Sequence, residues 1–259
     1  MKLKTIAGLV AASMLIMGHA EAAQVRIFGD APFGLSQANM DSFYDGLTGN
    51  NSQIITTLDS TSLAGGGLLW LTQPNNAYTA SQLTALQGFL AGGGRIAFMG
   101  EHGLIAPTQD ANINAALTFL GATIQIQMLA PDSGFRTATV GNGQIKANPL
   151  TAGVNSYEYA CFAPLIVSGT AQTLMTGQDN PNQVMMAYQN IGPGSIFLIT
   201  DQNVWDHEPS GWAGFDNSTM FANLLLADTG APPVGVPEPA SVLLAGLGLL
   251  GLSQVRRRK

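Results

Sequence analysis

Residues 68–101 read LLWLTQPNNAYTASQLTALQGFLAGGGRIAFMGE and contain a complete strand–helix–strand unit. Residues 68–71 are consecutively apolar, which is typical of a strand buried on both faces. From Thr79 onward, apolar residues recur three and four positions apart until a Gly-Gly-Gly triplet at 92–94, which predicts a helix that ends at a left-handed glycine. Residues 95–99 form the next strand. This order predicts two neighbouring parallel strands joined by a helix.

The same alternation extends in both directions along the chain. Before the unit, strands are expected at 25–28 and 52–58 and a helix at 36–47; a further helix follows at 110–120. The second half of the chain predicts short strands separated by Gly, Asn and Pro, a strand pair across the turn 190–194, and a last helix at 215–226. The short strands are expected at 123–128, 135–140, 144–147, 157–167 and 171–175, and the pair at 184–188 and 195–200.

We therefore predict an α/β fold with a mostly parallel sheet flanked by helices and with short antiparallel additions in the second half. The additions lie either at one edge of the sheet or in a small subdomain. The predicted core contains Phe28, Leu69, Trp70, Phe98 and Phe197. The triplets Gly65-Gly66-Gly67 and 92–94 precede strands and lack a following Lys-Ser/Thr, so they are interpreted as turns rather than phosphate-binding loops.

Two stretches resemble the class I glutamine amidotransferase-like (flavodoxin-like) fold. The first is 68–101, in which a strand ends in a tight Gly turn, and the second is 194–201 followed by a helix at 217–226. The family carries a nucleophilic cysteine on the elbow after the fourth strand. Here the elbow reads Met99-Gly100-Glu101-His102-Gly103, which places Glu101 near the cysteine position. The resemblance implies the fold, and the missing thiol argues against glutamine hydrolysis.

Both ends of the chain have the features of targeting segments. Lys2 and Lys4 precede the apolar run 6–17, and Ala20-Glu21-Ala22 offers small residues to signal peptidase, so residues 1–23 are interpreted as a signal peptide. At the other end, a Pro-Glu-Pro turn (Pro237, Glu238, Pro239) precedes an uncharged stretch, 240–255, long enough for a transmembrane helix of roughly 24 Å. Four cations follow as a membrane stop, namely Arg256, Arg257, Arg258 and Lys259.

This C-terminal order resembles the PEP-CTERM sorting signal of Gram-negative bacteria, which the membrane protease exosortase recognises. The resemblance implies a protein that is exported, anchored transiently in the inner membrane, cleaved, and released to the cell surface or the extracellular polysaccharide matrix. An ordinary C-terminal tail anchor is the alternative for this segment. The predicted organisation is a signal peptide (1–23), an α/β domain (24–230), a linker (231–235) and the sorting signal (236–259).

The predicted domain is acidic and poor in charge. Between 24 and 230 lie four of the ten Lys and Arg residues and fourteen of the sixteen acidic residues, a formal charge of 4 − 14 = −10. This charge argues against binding to nucleic acid or anionic lipid. Cys161 is the only cysteine, which excludes an internal disulfide. Its apolar surroundings favour a buried structural thiol over a nucleophile.

The candidate site lies at the carboxyl ends of the predicted strands, where open α/β sheets bind ligands. Glu101 and His102 follow the fourth strand, and Asp201, His207 and Glu208 follow the last one. We predict Glu101, His102 and His207 as catalytic residues, and Asp201, His207 and Glu208 as ligands of a divalent metal. A solvated polar edge is the alternative. Trp205, Trp212 and Phe215 could stack on a sugar ring or pack the loop onto the domain.

Two functions follow from these observations. The first is a non-catalytic binding module of the cell surface or the polysaccharide matrix, with signal peptidase, exosortase and an exopolysaccharide as partners. The second is a secreted hydrolase, with or without a metal, that uses Glu101, His102 and His207. The missing nucleophile and the absence of a fixed-spacing catalytic motif favour the first.

Overall fold

The computed structural model describes residues 24–131, 134–206 and 214–228. Its elements follow one another as β1 (Gln24–Gly29), α1 (Gln37–Asp45), β2 (Asn51–Ile54), β3 (Gly66–Thr72), α2 (Ala80–Ala91), β4 (Arg95–Met99), α3 (Pro107–Phe119), β5 (Ile124–Ile126), β6 (Arg136–Thr139), a 3-10 turn (Pro149–Thr151), β7 (Ser156–Tyr159), β8 (Leu165–Val167), β9 (Gln172–Thr176), β10 (Val184–Ile191), β11 (Gly194–Ile199), α4 (Asn203–Asp206) and α5 (Asn217–Leu226).

The main sheet has nine strands and is parallel in its first half. Strands β2, β1, β3, β4 and β11 lie side by side in that order, and each neighbouring pair is parallel. Beyond β11 the sheet continues with the antiparallel strands β10, β8 and β5, and β9 also pairs with β10. Strands β6 and β7 form a separate two-stranded sheet. The predicted α/β fold is confirmed, and both locations proposed for the antiparallel additions are occupied.

Helices cover both faces of the sheet because its central strands are apolar on both sides. On one face, Trp70 and Phe197 pack with side chains of α1, α4 and α5. On the other face, Leu69 and Phe98 pack with side chains of α2 and α3. Consecutive residues of a strand point to opposite faces, so an apolar run is needed to fill two cores at once.

Helix α2 is defined at both ends by local sequence. At its start, Thr79 and Gln82 form a capping box, in which each side chain accepts a hydrogen bond from the other residue's backbone N–H. At its end, the N–H of Gly94 donates to the carbonyl of Phe89, and the N–H of Gly93 donates to that of Leu90. Gly93 has φ of +88°. This is the left-handed glycine stop that the sequence predicts.

Four details of the sequence prediction are wrong. The second strand ends at Ile54, well short of residue 58. Residues 144–147 form only an isolated bridge through Ile145. The predicted strand 157–167 is divided into β7 and β8, because the N–H of Ala160 bonds to a carboxylate and Pro164 has no N–H to donate. Phe28 is half-buried because β1 lies next to the short strand β2, near the margin of the core.

Truncation of Phe98 tests the central position of β4. Phe98 is fully buried between β3 and β11, so Phe98→Ala is expected to cost about 3–5 kcal/mol of unfolding free energy through lost burial and the cavity left behind. Chemical denaturation of the purified domain measures this cost. Phe135→Ala, at a residue 49% exposed, is the control and should change stability by less than about 0.5 kcal/mol. Similar costs for both variants would contradict the assignment.

Candidate functional site

Polar residues follow each central strand at the carboxyl edge of the sheet. Gln73 follows β3, Glu101 lies two residues after β4, and Asp201 and Gln202 follow β11. All four side chains are buried. Because these strands are parallel and adjacent, the topology brings the four residues together at the edge where open α/β sheets bind ligands.

Glu101 joins the ends of β4 and β11. Its side chain is only 4% exposed. Oε1 accepts a 2.8 Å hydrogen bond from the backbone N–H of His102, and Oε2 accepts a 3.1 Å bond from that of Gln202. Gln73 Nε2 lies 3.5 Å from Oε2. Charge-assisted bonds of this kind stabilise a buried carboxylate, and here they fix two neighbouring loops to each other.

Asp110 positions Glu101 by accepting a hydrogen bond from its backbone N–H. It lies in the first turn of α3, is fully buried, and its Oδ1 accepts the backbone N–H of Glu101 at 3.1 Å. Burial raises the pKa of Asp110 to about 7, and the nearby Glu101 carboxylate adds to the rise while the hydrogen bond opposes it. Oδ2 of Asp110 has no hydrogen-bond partner within the described part of the chain. The sequence predicts no role for Asp110 beyond its place at a helix start close to the Glu101 elbow.

Asp201 is also used as a backbone acceptor. Its Oδ2 accepts the N–H of Ala160 at 2.6 Å, and its Oδ1 accepts the N–H of Asn203 at the start of α4. The carboxylate therefore links the end of β11 to the segment between β7 and β8. His207 and Glu208, the other two predicted metal ligands, lie outside the described residues. Across 24–131, 134–206 and 214–228, no group of three or more His, Cys, Asp or Glu side chains is placed to hold a metal ion.

His102 is the member of the predicted site that reaches toward solvent. Its ring is partly exposed, but Nδ1 is buried and has no partner in the described ranges. Desolvation lowers the pKa of its imidazole below the ordinary value. The ring is therefore neutral at neutral pH. Glu101 and His102 are neighbours in the fold, and the predicted convergence with His207 remains a prediction.

Two buried glutamines that were not predicted from the sequence, Gln73 and Gln202, complete this edge. Gln202 Nε2 donates a 2.8 Å hydrogen bond to the carbonyl of Phe33, in the loop between β1 and α1. Oε1 of Gln73 and Oε1 of Gln202 are buried, and within the described chain neither has a partner. In the sequence, these two glutamines can be recognised only by their position shortly after a buried strand.

The aromatic residues near this edge pack inward. Trp205 is 1% exposed, and its ring stacks on that of Phe221 with centroids 4.1 Å apart. It is therefore part of the core, and the suggestion that it stacks on a sugar is wrong. Phe215 is half-buried and Trp212 lies outside the described residues. Cys161 is half-buried, so the prediction of a buried thiol is wrong in degree, although its neighbours Ala160 and Phe162 are buried.

The C-terminal segment is similar to a known sorting motif. Residues 235–259 match the family described as the PEP-CTERM protein-sorting motif. The motif indicates a protein that is exported through the membrane to the cell surface and processed by exosortase. Among the residues that the structure describes, no helix has the length and apolar character needed to span a membrane, and 240–255 lies outside them. A comparison with curated proteins finds no match.

Solved structures are similar to this chain in fold. The mmIFT52 N-terminal domain has a TM-score of 0.61 at 16% identity, over 80% of this chain and 98% of that one. A cytoplasmic protein of Salmonella typhimurium LT2 has a TM-score of 0.56 at 9% identity, over 78% and 98%. A protein described as part of a GMP synthase, from Thermoplasma acidophilum, has a TM-score of 0.51 at 12% identity, over 80% and 94%. At these identities the likeness shows an α/β fold alone.

The raised pKa of Asp110 predicts a pH dependence of stability. Between about pH 4 and pH 7 the folded protein retains a proton on Asp110 that the unfolded chain has released, so stability falls as the pH rises through this window. Asp110→Asn keeps an oxygen for the Glu101 N–H but cannot ionise. At pH 8 it should be more stable than the wild type by roughly 2–4 kcal/mol, and at pH 4 the two should be similar. Urea unfolding at both pH values measures the difference; a pH-independent difference would contradict the prediction.

Proposed function

We propose that this protein is a non-catalytic binding module of the extracellular polysaccharide matrix. Signal peptidase removes residues 1–23, the apolar segment 240–255 anchors the protein transiently in the inner membrane, and exosortase cleaves near Pro237-Glu238-Pro239. The α/β domain then reaches the cell surface or the matrix. Export and exosortase processing are indicated by the sorting motif. The non-catalytic role is supported by the hydrogen bonding of Glu101 at the carboxyl edge of the sheet.

The observation that favours a non-catalytic role is the hydrogen bonding of the Glu101 carboxylate. This residue lies near the position of the nucleophile in the resembled family, yet both of its carboxylate oxygens accept backbone N–H groups. A general base must reach the proton that it removes from a substrate or water. A buried carboxylate that is already bonded to two loops serves better to hold those loops, and Asp201 is used in the same way.

The second candidate function, a hydrolase, is favoured by one feature. His102 is a partly exposed neutral imidazole directly beside Glu101, at the edge where ligands bind. Such a ring can act as a general base if a substrate lies against it. The two functions differ in their requirement for the Glu101 charge.

Processing at both ends is tested by intact-mass analysis of the native protein. Protein recovered from culture supernatant should begin near Gln24 and lack residues 256–259. The start near Gln24 is predicted from the small residues at the signal-peptidase site. The loss of residues 256–259 is predicted from the sorting motif. Recovery of released protein with Lys259 intact would contradict the C-terminal part, and retention of residues 1–23 would contradict the other.

Removal of the Glu101 charge separates the two functions. Released protein should co-sediment with the exopolysaccharide isolated from the producing bacterium and should release no reducing ends from it. Glu101→Gln should lower stability by about 1–3 kcal/mol, because hydrogen bonds to a charged acceptor are weakened, and should bind the polysaccharide as the wild type does. Glu158→Gln, at a half-buried glutamate on β7, is the matched control. Polysaccharide cleavage that Glu101→Gln abolishes would establish the hydrolase instead.

A further inference from the structure

An open groove lies along helix α2, and none of the residues of the Glu101 network lines it. It runs between helix α2 and the connection from β2 to β3, and its volume is about 650 Å³. This volume is within the range of small-ligand sites in proteins. Gly66 and Gly94, at the amino ends of β3 and β4, lie along it.

The floor of the groove is apolar and depends on glycine. The ring of Phe89 lies against the backbone at both strand starts: a Cβ placed on Gly94 would be 2.4 Å from a ring atom, and one on Gly66 would be 3.4 Å from another. Real Cβ atoms do not approach as closely as the first distance, so Gly94 is required for the ring to lie where it does. Leu58 and Leu63 extend the apolar floor.

The rim of the groove is polar and carries no positive charge. Ser81 and Thr84 contribute hydroxyls from α2, and Asp59 and Ser60 line the other side. A backbone hydrogen bond from Ser62 holds the pKa of the exposed Asp59 below its usual range, so its carboxylate is ionised and accepts hydrogen bonds at neutral pH. None of the described lining residues is a cation. The neighbouring Arg26 donates its guanidinium to the carbonyls of Ser62 and Ala64.

We propose that this groove binds a neutral polysaccharide chain through the faces of its sugar rings and their hydroxyls. The inference rests on the matrix-binding function proposed above and gives it a site. A sugar ring presents C–H groups to an apolar floor and hydroxyls to a polar rim, which is the pattern of side chains found here. An anionic polymer is disfavoured because Asp59 is the charged group in the lining and the domain as a whole is acidic.

Gly88 allows the groove to be filled without damage to the fold. It lies within α2 and lines the groove, and a Cβ added to it has no heavy atom within 4 Å. Replacement of a helical glycine by leucine favours the helix. Gly88→Leu should therefore keep the melting temperature at or above that of the wild type. Its affinity for the isolated exopolysaccharide should fall at least about tenfold, or 1.4 kcal/mol, in affinity electrophoresis or calorimetry.

Two further variants identify the chemistry of the occupant. Gln87→Leu, at the neighbouring exposed position that does not line the groove, is the control and should bind as the wild type does. Thr84→Val removes a rim hydroxyl and should weaken binding of a sugar chain. If Gly88→Leu weakens binding of the polysaccharide but Thr84→Val strengthens it or leaves it unchanged, the groove binds the chain without this hydroxyl, and the proposed role of the polar rim is wrong. If Gly88→Leu binds the polysaccharide as well as the wild type does, the proposed groove site is wrong and the matrix-binding function is unaffected. If the wild type itself does not bind the polysaccharide, the proposed function is wrong.

Discussion

The burial of three parallel strands on both faces is the constraint on which the rest of this structure depends. Every residue of β11 is buried, as are four consecutive residues of β4 and five of β3. Such strands cannot carry polar side chains within their length except where a partner is provided. Charged and amide groups therefore lie at the strand ends, and the two ends of the sheet carry different chemistry.

The carboxyl edge is organised by buried acids that accept backbone hydrogen bonds. Glu101 joins two strand ends, Asp110 holds the Glu101 backbone, and Asp201 anchors a crossing segment. Removal of one partner from such a network leaves another polar group buried and unpaired, which costs more than the bond itself contributed. These acids therefore stabilise the edge. At this edge, buried polar atoms of Gln73, His102, Asp110 and Gln202 have no hydrogen-bond partner among the described residues, and they mark the place where a water or a ligand group is accommodated.

The amino edge is organised by glycine instead. The glycines at 92–94 end α2, and Gly94 also lets the Phe89 ring lie against the strand starts, which leaves an apolar floor open to solvent. The same triplet thus has a local role in the helix stop and a tertiary role in the groove. The groove shares no lining residue with the Glu101 network, so substitutions in the two places should act independently.

Sequence patterns were enough to predict the α/β class, the order of the central elements, the glycine stop of α2 and the sorting signal. These features depend on local patterns: apolar runs, helical spacing, capping residues and a motif contiguous in the chain. Only the tertiary structure decided that Asp110 lies under Glu101, that Gln73 and Gln202 share its edge, that Trp205 is a core residue, and that Phe89 forms the floor of a groove. Each of these depends on which strands become neighbours, because contacts between residues far apart in the chain are set by the sheet order, and no local pattern specifies it.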